Sequence, residues 1–448
     1  GQHGRPGPRE APAGLVAPNE MSSGLRDGER CLYVTFGETR AELEDAATSH
    51  GWSLDGLEIH DHPAEIEATL ADPQTVFHPA EVELTDAARI LGEHIVRIRP
   101  QRAVIDGLAE LQLLAGDALD FRHQIMLLRR LFGQTDCTLL LLHDRSVLTE
   151  RAGLRTLAYG VIELDQKTPS FGPQRRRLQV LKMRGRPFHS GYHDCRIVSG
   201  GMQVFPRLVA AKHRRDVPAG VASSGLPALD GVLGGGLSRG TSCILVGPAG
   251  VGKSTCALQF ALAAAERGEQ AALYLFEESR NVLLKRAEGL GLPVGKHLAS
   301  GRIRICPVNL GEFMPGEFIS MVTENVSGGA RLVIIDSLTG YARAMEDHIS
   351  LLSELLSYLG QQGVVTLLVV GQHGLGFPAA AAPVDLSYLA DAVVMFRYYE
   401  AAGEVRKAIS VFKKRTGPHE TTLRDFRLGA SGILIGEPLT QFHGILTG

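Results

Sequence analysis

Short continuous apolar runs alternate with stretches of helical periodicity from about Glu29 onward. Cys31-Leu32-Tyr33-Val34-Thr35-Phe36 predicts a strand, and Ala41 to His50 predicts a helix closed by Gly51. Ala103-Val104-Ile105-Asp106 reads as a short buried strand ending in a carboxylate. A helix through Phe121–Leu131 follows, then the strand Thr138-Leu139-Leu140-Leu141-Leu142. Such apolar strands between helices predict a parallel sheet covered on both faces. From Gly160 to Phe205 the pattern turns to shorter β segments. After a charged, Pro/Gly-containing stretch at 210–220 the order repeats. There is a strand at Cys243–Val246, a helix over Cys256–Ala265 closed by Gly268, and strands at Ala272–Phe276, Leu332–Ile335 and Val365–Val370. A β-rich end runs from Ala392 to Ile435.

The two halves share landmarks in the same order. Phe36-Gly37-Glu38-Thr39-Arg40 matches Phe276-Glu277-Glu278-Ser279-Arg280, and Val104-Ile105-Asp106 matches Ile334-Ile335-Asp336. Lys182-Met183-Arg184 matches Lys413-Lys414-Arg415, and Asp194-Cys195-Arg196-Ile197 matches Asp425-Phe426-Arg427-Leu428. Landmarks in constant order and near-constant spacing indicate a duplicated domain. The expected division is a disordered, Gly/Pro/Ala-rich lead over 1–26, a first domain over 27–215 and a second over 216–448. The chain opens on Gly1 rather than Met, as expected of a processed product or fragment.

Chemistry concentrates in the second copy. Gly247-Pro248-Ala249-Gly250-Val251-Gly252-Lys253-Ser254-Thr255 fits the phosphate-binding P-loop and sits between an apolar strand and a helix. Gly247, Gly250 and Gly252 let backbone N–H groups curl round phosphates, and the helix N-terminus adds positive dipole. Lys253 is suited to the β- and γ-phosphates, Ser254 to Mg²⁺, and Thr255 completes the nucleotide-binding set. Asp336, at the end of a buried strand, is the expected second metal residue. Glu277 and Glu278 follow another buried strand, where one carboxylate orients and polarises the attacking water and the other supports it. Lys413 and Arg415 alternate along a strand and face the same way. They fit either a finger acting on a neighbouring subunit's nucleotide or a basic strand edge that discourages aggregation. The first copy has Asp106 and Glu38 but no Gly-Lys-Ser/Thr. His60-Asp61-His62 and His189…His193-Asp194 are incomplete metal sets, and His373 after a strand end is a weak γ-phosphate sensor candidate.

A net charge of −3 gives no electrostatic case for nucleic acid or membrane binding. Six cysteines scattered without a close pair predict reduced thiols in a cytoplasmic protein, and no apolar run is long enough to span a bilayer.

The succession S-G-L-x-x-L-D-x-x-L-G-G-G-L, G-P-A-G-V-G-K-S-T, F-E-E-S, V-I-I-D-S and F-K-K-R resembles the KaiC-like ATPases of the RecA superfamily. The first half resembles the N-terminal domain of that family from about Asp27 to Val209, through L-Y-V-T-F-G-E-T, V-I-D-G-L and G-Y-H-D-C-R-I. The resemblance implies an α/β fold of two tandem RecA-like P-loop NTPase domains. Each has a parallel sheet flanked by helices and a β-rich C-terminal part, the first being incomplete. It implies a self-assembling ring, commonly a hexamer, with ATP and Mg²⁺ between subunits. Glu277 and Glu278 become the catalytic carboxylates, and Lys413 and Arg415 the trans-acting cations. It also implies Ser/Thr autokinase activity. Where clock members carry an adjacent Ser-Thr acceptor pair this chain has Ser387-Tyr388, leaving Ser387 as the acceptor candidate. The chain ends soon after Phe442-His443-Gly444, without the long regulatory tail, so no activator partner is implied.

The expected function is therefore Mg²⁺-dependent ATP hydrolysis with Ser/Thr autokinase activity in bacterial signalling or clock-like regulation, with signalling proteins as partners. The alternatives are a DNA-acting recombinase or helicase, and a nucleotide-switched scaffold with little turnover.

Overall fold

The computed structural model describes residues 20–61, 92, 95–114, 118–133, 135–144, 154–168, 174–217, 219–309, 311–344, 348–371 and 387–440. Two compact units divide the chain, one of Gly1–Thr168 and Gln174–Phe205, the other of Pro169–Pro173 and Pro206–Gly448.

In the first unit, β1 (Cys31–Thr35), β2 (Glu58–Asp61), β3 (Arg102–Asp106) and β4 (Thr138–Leu141) form a parallel sheet in the order β2-β1-β3-β4. Alternate residues serve opposite cores. Leu32, Val34, Ala103 and Ile105 pack with Phe121, Ile125 and Phe132 of the helix Ala118–Gly133. Cys31, Tyr33 and Val104 face Met21, Leu43 and Leu57. Order starts ahead of Glu29, where the sequence alone would place its onset. Residues 20–26 are helical, and Met21 is buried in that second core. Two apolar residues one turn apart, Met21 and Leu25, were too little periodicity to announce a helix. Thr39 caps the helix Arg40–His50 through a capping box with Glu42, and Gly51 ends it in the left-handed region. A separate antiparallel sheet contains β5 (Gly160–Lys167), β6 (Arg175–Met183), β7 (Tyr192–Val198) and β8 (Gly201–Phe205) in chain order.

In the second unit a two-stranded pair, β9 (Val221–Ala222) and β10 (Leu237–Ser238), precedes a nine-stranded sheet. Its parallel strands are β11 (Ser242–Gly247), β12 (Gln270–Leu275), β13 (Ile303–Pro307), β14 (Ala330–Asp336) and β15 (Val365–Gly371). Its last four are β16 (Ala392–Ala401), β17 (Glu404–Lys414), β18 (Arg424–Gly429) and β19 (Gly432–Pro438). The order is β13-β12-β14-β15-β11-β16-β17-β18-β19. Again the strands alternate between cores. Leu245, Leu273 and Ile334 meet the helix Lys253–Glu266 on one face. Ile244, Tyr274 and Ile335 meet the helices Pro315–Ser327 and His348–Gln361 on the other. This is the sheet buried on both faces that continuous apolar runs predict. The segment 206–215 packs within the second unit. Leu208 and Ala210 sit in its core, and the Ala210 amide donates to Glu354 Oε1 at 2.7 Å.

Among the described residues the units share the order of their large sheets, and β11 sets the two apart. The order β2-β1-β3-β4 repeats β13-β12-β14-β15, and β5 to β8 repeat β16 to β19. In the second unit β11 lies between β15 and β16 and pairs with both in parallel. Among the described residues of the first unit no strand joins β4 to β5, so its two sheets stay separate.

Candidate functional site

β11 delivers the loop to the carboxyl edge of the parallel strands, the usual ligand edge of an open α/β sheet. Three glycines there are required by geometry. A Cβ on Gly247 would lie 2.4 Å from the Phe396 carbonyl oxygen. Gly250 and Gly252 have φ of 76° and 117°, and a Cβ on Gly252 would lie 2.7 Å from the Phe426 ring. Gly252 is also the N-cap of the helix Lys253–Glu266 and offers no side-chain cap, so the first helical N–H groups are left for an anion.

Lys253 is buried, and its Nζ donates to the Gly247 and Pro248 carbonyl oxygens at 2.8 and 2.6 Å. Burial lowers its pKa, against the pull of Asp336. The Ser254 side chain acts on the Asp336 carboxylate and favours its charged form. Asp336 ends β14 between Leu275 and Val369, and the Asp336-Ser337 peptide is cis. Burial raises the Asp336 pKa. Ser254, Arg286 and Lys253 act against that rise. A hydroxyl and a buried carboxylate beside an uncapped helix start form a donor set that fits a hard divalent cation carrying phosphates. Ser254 and Asp336 would hold Mg²⁺, and the loop N–H groups and Lys253 would hold the nucleotide.

Glu277 and Glu278 follow β12 directly but occupy different surroundings. Phe276 anchors their turn in an aromatic cluster with Phe318 and Tyr341, at centroid distances of 5.4 and 5.8 Å. Such pairs contribute about 0.5–1.5 kcal/mol each beyond their buried area. Glu277 is exposed to solvent, accepts from Ser337 Oγ at 2.7 Å and lies 3.7 Å from Arg343. Glu278 is more buried, and its Oε1 accepts from Arg286 Nη1 at 2.5 Å. Burial raises the Glu278 pKa, which Arg286 opposes. A carboxyl poised upward by its surroundings is the better proton acceptor near neutrality.

Lys413 and Arg415 lie elsewhere. Lys413 pairs with Val393 and donates to the Ala390 carbonyl oxygen at 2.9 Å. Arg415, one residue past the end of β17, donates to the Tyr388 carbonyl at 3.1 Å and lies 3.5 Å from Asp391. These partners adjoin the amino end of β11, since Ala392 pairs with Cys243. Strand rise of roughly 3.3 Å per residue puts this edge about 15 Å from the loop at the other end. Both cations therefore sit at the edge of the sheet opposite their own chain's loop. A bulge at Phe412 shifts the register just before Lys413, and Phe412 itself is exposed. Ser387 begins a short 3₁₀ turn, Ser387–Leu389, at that same amino edge.

Three contributors escape the motif reading. Tyr398 donates to the Ala249 carbonyl at 3.1 Å, Lys407 donates to the Gly250 carbonyl at 3.1 Å, and Arg286 pairs with Glu278. Tyr398 and Lys407 face each other across β16 and β17. Only their alternation along two β-rich segments hinted at a shared face, and nothing in the sequence tied that face to the loop. Among the histidines, His193 Nε2 lies 3.1 Å from the His189 carbonyl, and His60 is buried. No group of three or more His, Cys, Asp or Glu residues suited to a metal occurs among the described residues. His62 and His373 lie outside them, as do the loop residues ahead of Ser387. No helix among the described residues is long and apolar enough to cross a membrane.

The first unit presents the same acid differently. Asp106 pairs with Thr35 as Asp336 pairs with Leu275. Its carboxylate accepts from the Tyr33 phenol, and Tyr33 stands where Leu273 stands in the second unit.

A family model described as "ATPase: KaiC" matches residues 20–209 and again 222–440. The chain is similar to circadian clock protein KaiC3 of Synechocystis sp., with 23% identity over 444 residues, covering 97% of this chain and 87% of that one. It is similar to the circadian clock oscillator protein KaiC of Acaryochloris marina, at 24% over 424 residues, covering 93% and 81%. The KaiC of Synechococcus elongatus is 24% identical over 445 residues, with coverage of 93% and 81%.

Proposed function

This chain belongs to the KaiC ATPase family, and from that premise we propose that its second unit is a Mg²⁺-dependent ATPase site completed by a neighbouring copy. The observation that carries this reading is the glycine loop running into a helix start without a side-chain cap, with Lys253 folded onto the loop and Asp336 at the same carboxyl edge of the sheet. The metal would neutralise charge on the phosphates. The loop N–H groups and Lys253 orient the triphosphate, Glu278 takes a proton from the attacking water, and Ser337 holds Glu277 in support. Lys413 and Arg415, at the edge opposite their own loop, serve the nucleotide of the next subunit in a ring, commonly a hexamer. Such a trans cation contributes about 10³–10⁵ in rate.

Nucleotide is assigned to the second unit, where the Gly-Lys-Ser loop lies. Ser387, beside Arg415 at the amino edge, is the acceptor for a Ser/Thr autokinase activity. The relatives' names as clock proteins support a regulatory role, and signalling partners and a cytoplasmic setting belong to the same proposal.

The test is calorimetric titration of the full chain with ATP and Mg²⁺, alongside phosphate release and native mass measurement. One nucleotide per chain, lost in Lys253→Ala, is expected. Two per chain, or binding and turnover indifferent to Lys253→Ala, would refute the reading. Mass spectrometry after incubation with ATP reads Ser387 separately.

A further inference from the structure

Arg286 is an unusual partner for a general base. It lies in the helix Arg280–Gly289, about two turns beyond Glu278, and its Nη1 alone contacts that carboxylate. Its Nε and Nη2 are buried and have no hydrogen-bond partner among the described residues. A guanidinium that served only to brace a carboxylate would present two nitrogens to its two oxygens. Leaving two buried donors of a cation unmade is costly, and a gap of that kind calls for an acceptor.

The position suits one kind of acceptor. Arg286 is paired to Glu278 just past β12, the strand that pairs with β14 and so ends beside Asp336, and both Arg286 and Lys253 favour the charged form of that acid. The charged groups that meet there are Lys253, Glu277, Glu278, Arg286 and Asp336. The planar fork of arginine matches two phosphate oxygens, which a lysine cannot do. A terminal phosphate on the loop would be approached from the glutamate side by the carboxylate to which this guanidinium is paired.

We propose that Arg286 reads the γ-phosphate from within the same chain: it holds Glu278 in an idle ion pair, and on ATP binding its Nε and Nη2 turn to the terminal phosphate, releasing Glu278 to act as base. ADP offers no such oxygens, so Glu278 stays paired. This assignment rests on the second unit being an ATP site, and it makes Arg286 a determinant of ATP over ADP.

The experiment is equilibrium binding of ADP and of a non-hydrolysable ATP analogue with a β–γ imido bridge. It uses the full chain with Mg²⁺, as wild type and as Arg286→Gln, Arg286→Lys and Glu278→Gln. Arg286→Gln is expected to lose about ten- to a hundredfold in affinity for the analogue and to keep its affinity for ADP. Arg286→Lys recovers part of the loss, and Glu278→Gln keeps the preference for triphosphate. If Arg286→Gln does not fold, Arg286→Gln combined with Glu278→Gln removes both charges and carries the same comparison. Equal weakening of both ligands, or of neither, would reduce Arg286 to a structural brace and overturn the assignment alone. Wild-type protein that binds neither nucleotide overturns the ATPase reading and this assignment together.

Discussion

Tyr33 donates its phenolic hydrogen to Oδ2 of Asp106 at 2.6 Å. In the second unit the equivalent acid, Asp336, has leucine at the tyrosine's strand position and is acted on instead by Ser254 from the loop. The two acids occupy the same register in their sheets, and the strand position of Tyr33 is filled by Leu273 in the other copy. The acid that would bind metal is thus retained in the first unit and satisfied from inside the sheet.

Removing that phenol should expose the debt. Tyr33→Phe leaves a buried carboxylate short of a donor, which costs about 1–3 kcal/mol. Hydrogen exchange at the Ala103–Ile105 amides of the full chain should quicken accordingly, with nucleotide binding at the second unit unchanged. Protection equal to wild type would show the bond to be immaterial.

Burial raises the Asp106 pKa above its ordinary value, and the Tyr33 and Gly107 bonds act against that rise. The folded chain therefore binds this proton more tightly than the unfolded chain. Its contribution to stability is present below the unfolded value of about 3.9 and declines as pH rises through the folded one. Asp106→Asn should flatten this slope in the opening free energy of β1 and β3, measured by exchange across pH. An unchanged slope would place the titration elsewhere.

Asp336→Asn keeps the hydrogen-bonding shape beside Ser254 and removes the charge that a divalent cation needs. Turnover should fall by about 10–100-fold, and the Mg²⁺ dependence of nucleotide affinity should weaken. Chelation of Mg²⁺ in wild type should reproduce the loss. A variant with wild-type Mg²⁺ dependence would remove Asp336 from the metal's ligands.

Because Lys413 and Arg415 sit at the amino edge, their loss should be curable by a different subunit. Lys253→Ala and Arg415→Ala chains, each inactive alone, should recover phosphate release when mixed, since some interfaces then pair an intact loop with an intact Arg415. No recovery in verified mixed rings would confine both residues to one chain's own site.

The strands and the loop were legible because their signals are local. Continuous apolar runs set β1, β3, β11 and β14, and glycine spacing set the cradle. The paired acids were legible because each terminates such a run. Contacts made by folding were not. Tyr398 reaches Ala249 across 149 residues and Lys407 reaches Gly250 across 157, and no local pattern encodes either meeting. Arg286 was hidden for another reason: on a helix it is one charge among several, and only the burial of two of its nitrogens sets it apart. The sequence also kept Asp106 ambiguous, because a tyrosine in an apolar strand reads as core until its hydroxyl finds the acid.

The strand that carries the loop is also the seam of the second unit. β11 hydrogen-bonds to β15 on one side and β16 on the other, so a single element fuses a parallel half to an antiparallel half. The consequence is one for engineering. Transplanting the nine loop residues into the first unit would place a cradle on nothing, because no strand there brings β4 and β5 into one sheet among the described residues. Building a nucleotide site on the described residues of the first unit means donating the whole strand, turn and helix as a cassette. The success of that graft would be visible first as a gain in rigidity and only then as catalysis.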